Sequence, residues 1–415
     1  MKKIINSVLT IAIAAFLLTF TSCKGDDPII PTPGPDTGAH AQLWSYDIGF
    51  GSLADITPAI DENDNIYFSM ANQETSKVFA FGLDKDGNEL WKKEFDGSVT
   101  TKITYGGNKV FVSTGYPTAI YCLNPATGAT EWSKNLTEEY EVFDFPSLAF
   151  ANNKLYAVSG EYFDGFLFAY DLSGSELWVK QGSEVGRGFN LSVSGNSLFF
   201  HNTETLFRYD DNGASCDSVW AFELTEKSNR SLTVLYDLPI GDDGNIYIRS
   251  DYKISKISPS GQLVEAITLD ANFYEGSFSN ITLGSGNDIL IGNGNLVKFS
   301  NSGNMEWETS LSGIIVTPFF GAAATIADNG NLYDGQAFGL FCINSNGTTN
   351  WQVTAENGGG IEHGNLHPPV LNHAGDIISV ATEASQIRCF KGDGHGLATS
   401  GWPKPYGDYG NTSSK

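Results

Sequence analysis

The sequence contains few of the side chains that carry redox or metal chemistry. Its 415 residues include only five cysteines, six histidines and three methionines. Basic residues are also scarce, since 24 Lys and Arg stand against 48 Asp and Glu, and the formal net charge is −24 at pH 7. An anionic surface repels polyanions, so we expect no nucleic-acid partner. No segment after residue 23 shows helical periodicity, and this absence predicts an all-β protein.

Tryptophan recurs along the chain at a nearly constant interval. Successive gaps measure 47, 41, 46, 42, 87 and 44 residues, and the longest gap spans two steps of about 44. A repeat of roughly 40 to 50 residues that contains several short strands is typical of a β-propeller, whose blades stack around a central channel. The tryptophans that set this interval are Trp44, Trp91, Trp132, Trp178, Trp220, Trp307 and Trp351.

Each period also repeats two kinds of turn. One separates the first and second candidate strands, as at residues 61–65, and eight turns of this kind can be counted. The other pairs Asx or Ser with Gly, as at residues 211–213, because hairpin turns need positive φ. The pattern predicts an eight-bladed propeller with four-stranded antiparallel blades. A seven-bladed ring stays open as an alternative, since unit 5 has Leu263 and Val264 where Trp is expected and unit 8 is degenerate.

The two ends of the repeat region indicate how the ring closes. Residues 43–47 have the form of a fourth strand but precede the first complete unit, whereas residues 401–405 contain prolines that suit an inner strand poorly. We therefore expect the N-terminal strand to complete blade 8. This assignment gives a propeller over residues 42–405 and a C-terminal tail over residues 406–415.

The N-terminus has the features of a bacterial export signal. Lys2 and Lys3 precede a 13-residue apolar run, which is too short to span a membrane as a helix and suits a secretory signal. Residues 20–23 resemble a lipobox, so we predict a signal peptide over residues 1–22 and lipidation of Cys23. Residues 23–41 are rich in proline and form a tether. The alternative is a soluble periplasmic protein in which Cys23 is an unused thiol.

The residues just after Cys23 bear on the destination of the protein. The acidic run there resembles the export signal of lipoproteins that reach the outer face of some Gram-negative outer membranes, although a hydrated linker has the same composition. We expect a monomer that is anchored to the outer membrane by its lipid, on the periplasmic face or on the cell surface.

Two segments resemble the repeat of the quinoprotein-like, or PQQ-like, β-propellers. Residues 121–132 and 168–178 each carry a strand, an Asx-containing turn that includes Gly, and a Trp shortly afterwards. In that family the Trp packs on the neighbouring repeat, and the resemblance implies the same role for the seven tryptophans. Enzymes of the class hold their cofactor with two adjacent cysteines, a metal-binding set and a catalytic Asp. Because this chain has no adjacent cysteines, the resemblance implies the fold without a cofactor, catalytic residues or enzymatic activity.

The cysteines after Cys23 have the positions of core residues. Cys122, Cys342 and Cys389 occupy a strand position that holds Ala in other units, so we expect small buried side chains. A disulfide between Cys342 and Cys389, which lie in neighbouring units, stays open as an alternative. Cys216 lies in a polar turn and is expected to be unpaired.

A glycine-rich segment at residues 358–369 carries three candidate ligands. It contains Glu362, His363 and His367, and it precedes the first strand of blade 8, so we expect it at a mouth of the channel. Such side chains bind transition metals or polar ligands. A hydrated loop explains the same composition without a third fixed ligand, and we therefore predict no metal site.

Four further residues occupy the equivalent place before the first strands of blades 3 and 4. They are Asp144, Phe145, Arg187 and Phe189. A mouth ringed by polar and aromatic groups is where propellers bind other molecules. Arg187 is predicted to pair with Asp144 or to anchor a carboxylate.

These features support three hypotheses on function. The first is a non-enzymatic lipoprotein that acts as an interaction scaffold for outer-membrane or other cell-envelope proteins. The second is a surface protein that binds a glycan or small ligand through aromatic residues at the channel rim, with candidates Tyr105, Tyr116, Phe145, Tyr162, Phe189 and Tyr274. The third, a quinoprotein-like oxidoreductase, rests on the resemblance alone. Exposed aromatic residues at one mouth would favour ligand binding, and buried ones would favour the scaffold.

Overall fold

The chain folds into eight antiparallel sheets that form the blades of a β-propeller. The structure is a computed structural model, and it describes residues 38–50, 57–160, 164–182, 185, 189–202, 204–224, 238–249, 253–269, 281–292, 295–310, 324–336, 339–354, 368–381 and 385–415. The eight sheets confirm the eight-bladed prediction, and the seven-bladed alternative is wrong.

Blades 1, 3 and 4 are four-stranded sheets in which successive strands are hydrogen-bonded neighbours, and in blade 2 the first two short strands both pair with the third. Blade 1 contains β2 (Ala59–Ile60), β3 (Ile66–Asn72), β4 (Lys77–Leu83) and β5 (Glu89–Asp96). Blade 2 contains β6 (Val99–Thr100), β7 (Thr104–Gly106), β8 (Lys109–Gly115), β9 (Ala119–Leu123) and β10 (Thr130–Asn135). Blade 3 contains β11 (Ser147–Ala151), β12 (Lys154–Gly160), β13 (Gly165–Asp171) and β14 (Glu176–Gly182). Blade 4 contains β15 (Phe189–Ser194), β16 (Ser197–His201), β17 (Thr205–Asp211) and β18 (Cys216–Glu223).

Blades 5 to 8 continue the same order, with one shorter sheet. Blade 5 contains β19 (Ile246–Arg249), β20 (Lys253–Ile257) and β21 (Leu263–Thr268), and a single bridge between Ile240 and Ile246 stands in the place of its first strand. Blade 6 contains β22 (Ile281–Leu283), β23 (Ile289–Gly292), β24 (Asn295–Phe299) and β25 (Met305–Ser310). Blade 7 contains β26 (Thr325–Ile326), β27 (Leu332–Gln336), β28 (Gly339–Ile343) and β29 (Thr349–Thr354). Blade 8 contains β30 (Val370–Leu371), β31 (Ile377–Ala381), β32 (Gln386–Phe390) and β1 (Gln42–Asp47).

The N-terminal strand closes the ring, as predicted. Strand β1 pairs antiparallel with β32, and Trp44 lies opposite Cys389 in the register. The last blade therefore combines three strands from the end of the repeat region with one from its beginning. This exchange links the two ends of the propeller by backbone hydrogen bonds.

The hydrophobic core lies between neighbouring blades and runs around the whole ring. Residues of the inner strands are buried on both faces, as in β8 and β12, because each sheet is covered by a blade on either side. One cluster joins blades 8 and 1 through Ile60, Phe81 and Ile387, and similar clusters join every other pair of neighbours. The core is thus a series of packed seams, and each blade depends on both of its neighbours.

One short helix interrupts the repeating pattern between blades 2 and 3. Helix α1 spans Leu136–Tyr140, and the Asn135 side chain caps it by accepting a hydrogen bond from the backbone N–H of Glu138. The expectation that no helix follows residue 23 is wrong for this segment. A single helical turn is too short to show periodicity in sequence, but Asn followed three residues later by Glu is a helix-start signal that could have revealed it.

Candidate functional site

Each of the seven periodic tryptophans contacts the next blade. The indole Nε1 donates a hydrogen bond to the end of the third strand of that blade or to the segment that follows it, over 2.7 to 3.2 Å. Five acceptors are backbone carbonyls, and two are the carboxylates of Asp211 and Asp393. The repeating side chain therefore fixes the spacing of the blades and leaves the two mouths of the channel to carry function.

Asp211 shows how a carboxylate serves this structural purpose. It accepts hydrogen bonds from Trp178 Nε1 at 2.9 Å, Tyr156 OH at 2.7 Å and Lys154 Nζ at 2.6 Å. Burial opposes its ionisation, but these hydrogen bonds outweigh burial and lower the pKa of Asp211 below its usual value. The sequence contains a signal for these two acceptors, since Asp393 directly precedes Gly394 and Asp211 precedes Gly213 by two residues.

Blade 5 has no tryptophan at the repeat position, and the residues expected there from the sequence lie one and two positions too early. Glu265 pairs with Lys256 in the register where Trp307 pairs with Lys298, so Glu265 occupies the Trp position. Leu263 and Val264, which were expected there, precede this position and lie 51% and 53% exposed.

One mouth of the channel is filled by the chain itself. We call residues 396–415 the central segment, and the mouth lined by the turns between first and second strands the turn mouth. In each of six blades, a backbone N–H near the end of the first strand, just before this turn, donates a hydrogen bond to a carbonyl of the central segment. These hydrogen bonds measure 2.7 to 2.9 Å. The donors are Ile60, Tyr105, Phe150, Val193, Leu283 and Ile326.

The central segment is as buried as the blades around it. Trp402, Lys404, Asn411 and Ser413 are each at most 1% exposed. The predicted tail over residues 406–415 is therefore part of the propeller, and the boundary at residue 405 matches no change in packing. Residues 396–415 do not repeat the blade pattern, so the sequence gave no periodic signal that they would pack against the blades.

Asn411 is the main polar contact between the central segment and blades 1 and 2. Its Nδ2 donates to the carbonyls of Thr57 at 2.7 Å and Ile103 at 3.1 Å, and its Oδ1 accepts a hydrogen bond from Lys404 Nζ. Lys102, also buried, donates to Ser413 Oγ and lies 4.4 Å from the centre of the Tyr406 ring. These contacts satisfy polar groups that burial would otherwise penalise.

The opposite mouth, which we call the loop mouth, carries exposed aromatic side chains. Tyr116 lies between β8 and β9 and is 54% exposed, and Phe143 lies between α1 and β11 and is 46% exposed. Phe145 is half-buried beside Gly115, where an added Cβ would come within 3.2 Å of the Phe145 Cβ atom. We call Tyr116, Phe143 and Phe145 the aromatic platform.

The backbone under the aromatic platform is held by a compact hydrogen-bond network. The Thr118 N–H donates to Thr137 Oγ1 at 2.8 Å, and Thr137 Oγ1 donates to the carbonyl of Val142 at 2.8 Å. Thr118 Oγ1 donates to the carbonyl of Asp144 at 2.5 Å. The network ties the loop of blade 2 to the connection that leads into blade 3, so the two exposed aromatic residues share one rigid base.

The residues predicted for the channel rim are only partly described. Asp144 is 5% exposed, its Oδ1 accepts from the Phe145 N–H at 2.9 Å, and Phe145 lies on the aromatic platform. Phe189 begins β15. Arg187, Glu362, His363, His367 and Cys23 lie outside the described residues.

The rim aromatics divide between burial and exposure. Tyr105 is 8% exposed and donates to Glu62 from within the seam of blades 1 and 2, whereas Tyr116 is on the surface. Tyr162 and Tyr274 lie outside the described residues. The sequence therefore identified one member of the aromatic platform by residue type and another, Phe145, by position, but it did not identify Phe143.

The cysteines of the described chain are placed for packing and not for reaction. Cys122, Cys216, Cys342 and Cys389 are all free and buried, so the alternative of a Cys342–Cys389 disulfide is wrong. Burial raises the pKa of Cys122, Cys216 and Cys342 to about 12, which leaves them as thiols at neutral pH. Cys216 begins β18 instead of lying in a polar turn.

No cluster of three or more His, Cys, Asp or Glu side chains in the described ranges is arranged to hold a metal ion. His201 is fully buried, with Nδ1 2.8 Å from the carbonyl of Asn202 and Nε2 3.0 Å from Asn190 Nδ2. These partners suit a neutral ring that donates from Nδ1 and accepts at Nε2. Burial lowers the pKa of His201 to about 4.

Among the described residues, no helix has the length and apolarity that crossing a bilayer requires.

Comparison with known proteins supports the repeat family over part of the chain. Residues 74–217 match the family model described as outer membrane protein assembly factor BamB. This range contains blades 2 and 3, the last two strands of blade 1 and the first three strands of blade 4. No curated protein matches the chain.

Two solved structures share the fold at low sequence identity. Sqt1 from Saccharomyces cerevisiae superposes with a TM-score of 0.59 at 10% identity, covering 84% of this chain and 98% of its own. Apo AztD from Citrobacter koseri gives a TM-score of 0.50 at 10% identity, covering 72% and 86% respectively. At this identity the likeness concerns the fold alone. The chain is thus an eight-bladed β-propeller whose residues 74–217 are similar to the family described as outer membrane protein assembly factor BamB.

Proposed function

We propose that this protein is a non-enzymatic interaction scaffold, anchored by a lipid on Cys23 at the outer membrane, whose partners are other proteins of the cell envelope. The partner docks on the loop mouth. The carrying observation is the contrast between the mouths, because the central segment fills the turn mouth while the aromatic platform stands exposed on the other side. The match of residues 74–217 to an outer membrane assembly factor supports the cellular setting.

The exposure of Tyr116 and Phe143 meets the criterion stated above for ligand binding, but it also suits a protein partner, and the match of residues 74–217 to an assembly factor favours the protein. Exposed aromatic residues on a rigid base are typical hot spots, since they bury large areas with little loss of side-chain freedom. Phe143 has no polar atom on its side chain and offers contact area alone. Among the described residues, burial and a raised pKa make the thiols of Cys122, Cys216 and Cys342 poor nucleophiles.

Site-specific crosslinking in cells tests this proposal. A photoreactive phenylalanine analogue replaces Tyr116 or Phe143 in the full-length protein in its native host, and mass spectrometry identifies the captured molecules. We expect the same envelope protein at both positions. The control carries the analogue at Asn63, an exposed residue of the turn mouth, and should capture none of it.

One outcome would overturn docking at the loop mouth, and another would overturn the scaffold itself. Capture at Asn63 alone would place the partner at the other mouth, and capture of no protein combined with retention on a polysaccharide column would favour the glycan-binding alternative. That alternative draws its support from Tyr116 and Phe143, since exposed aromatic rings also stack on sugars. Lipid anchoring is tested separately, because Cys23→Ser should release the protein from the membrane fraction.

A further inference from the structure

Three carboxylates lie in the same short segment of the chain as Phe143 and Phe145. Glu138 and Glu139 lie on α1, and Glu141 follows it as the C-cap residue. All three side chains are exposed, and none forms an ion pair with another described residue. Lys134, the described lysine closest in sequence, lies instead 5.6 Å from the centre of the Tyr170 ring.

The order of these groups places negative charge and aromatic surface next to each other. Phe143 is two residues beyond Glu141, and Thr118 ties the Tyr116 loop to the same connection through Thr137 and Asp144. A cation is attracted to carboxylates and to the face of an aromatic ring, so both features select the same partner chemistry. An apolar side chain gains from contact with Phe143.

We infer that the aromatic platform and its border of Glu138, Glu139 and Glu141 form a docking surface for a partner segment that presents Lys or Arg beside an apolar anchor. This inference rests on the proposed function and names the chemistry of the partner. The apolar anchor packs between Tyr116 and Phe143, and the cationic groups pair with the glutamates. The preformed backbone network means that little order has to be gained on binding, which favours affinity.

Binding of defined peptides to the full-length protein tests the inference. The probe is a fluorescent peptide of about 12 residues in which four Lys or Arg flank two Leu, and its counterpart carries Glu at every basic position. Fluorescence anisotropy at low and physiological salt gives Kd, since pairing between exposed charges weakens as salt rises. We expect the basic peptide to bind and its acidic counterpart to fail.

Variants separate the docking surface from the general negative charge of the protein. Tyr116→Ala and Phe143→Ala should each raise Kd by about tenfold, as for interface hot spots. A triple Glu→Gln change at residues 138, 139 and 141 should raise Kd by about five- to tenfold. The matched controls are Leu90→Ala, an exposed apolar residue of β5, and Glu62→Gln at the turn mouth, and both should leave Kd unchanged. Circular dichroism confirms that each variant is folded.

Two results would overturn the inference. Equal effects of the controls and the glutamate variants would show non-specific attraction to an acidic protein, and equal binding of the acidic counterpart would remove the role of charge. Failure here is distinguishable from failure of the scaffold. If crosslinking at Tyr116 still captures an envelope protein whose contact segment lacks Lys and Arg, the scaffold stands and the partner chemistry is wrong.

Discussion

The seam between blades 1 and 2 and the seam between blades 5 and 6 solve the same packing problem differently. In the first, Trp91 is 6% exposed, donates to the carbonyl of Pro125 at 2.7 Å, and covers Gly128. Gly128 has φ of +65°, and an added Cβ would come within 2.7 Å of the indole. Glycine is therefore required there both by conformation and by the close approach of the ring.

In the second seam, Glu265 and Ile267 of blade 5 replace the indole. An added Cβ at Gly303 would meet Ile267 at 2.8 Å and Glu265 Oε1 at 3.1 Å, so an aliphatic side chain and a carboxylate share the area that one Trp covers elsewhere. Blade 5 also meets the central segment through the carboxylate of Asp242, which accepts from the Gly401 N–H at 3.1 Å. The indole is present in the other seven seams, and the ring closes although this seam lacks it.

The largest expected effect comes from removing the indole. Trp91→Ala should lower the free energy of unfolding by about 3–5 kcal/mol, because the buried ring and its hydrogen bond are both lost. Glu265→Ala, at the same register position in blade 5, should change it by about 0.5 kcal/mol or less. Urea unfolding of both variants measures the difference, and similar losses would show that the two seams are equivalent after all.

Blades 2 and 4 differ in a buried titratable group on the second strand, and blade 4 is a neighbour of blade 5. In blade 2, Ser113 lies two residues after the buried Phe111. In blade 4, His201 lies two residues after the buried Phe199. The unfolded chain protonates this imidazole near its ordinary pKa of 6.5, but the folded chain does so only near 4. As pH falls between these values the unfolded state binds more protons, so stability decreases, by about 3 kcal/mol in total.

His201→Gln should remove this contribution to the pH dependence. The comparison is the change in free energy of unfolding between about pH 7 and pH 4 for the parent and the variant. Asn63→Gln, an exposed change that removes no titratable group, is the control and should retain the parent slope. An unchanged slope in His201→Gln would mean that the imidazole titrates alike in both states.

The central segment is tested through Asn411, its link to blades 1 and 2. Asn411→Leu keeps the branched shape but leaves the carbonyls of Thr57 and Ile103 without the donors that Nδ2 supplies, which should cost about 2–3 kcal/mol. Hydrogen exchange should also speed up at the Ile60 and Tyr105 amides, which donate to this segment. Asn63→Leu, an exposed change, provides the baseline. Unaltered exchange would show that the segment is held mainly elsewhere.

The smallest effect is expected where the same segment meets blade 5. Hydrogen bonds from Lys415 and Gly401 outweigh burial and lower the pKa of Asp242, so its contribution exists at neutral pH and is lost as pH falls below the usual carboxyl range. The side chain is 40% exposed, and Asp242→Asn should therefore cost less than about 1 kcal/mol. High salt should reduce this difference, and a larger loss in high salt would contradict an ionic contact.

The repeating parts of the molecule could be predicted from sequence, and the unique parts could not. Turns and tryptophans are local signals that recur, so the blade number and the pairing of β1 with β32 followed from them. The contacts of Asn411 depend on residues more than 300 positions away, for which a single sequence has no pattern. Phe143 was missed for a related reason, since its exposure depends on a five-residue helix that packing stabilises.

The position of the central segment constrains the order in which the ring can form. Residues 396–415 follow all eight blades in the chain, yet they occupy the middle of the ring and accept hydrogen bonds from the earliest blades. During synthesis or export from the N-terminus, the inner edges of blades 1 to 4 therefore lack these protein hydrogen bonds until residues 396–415 arrive. Chaperones that protect open sheets would act in that interval. The channel is consequently filled only after all eight blades have been made.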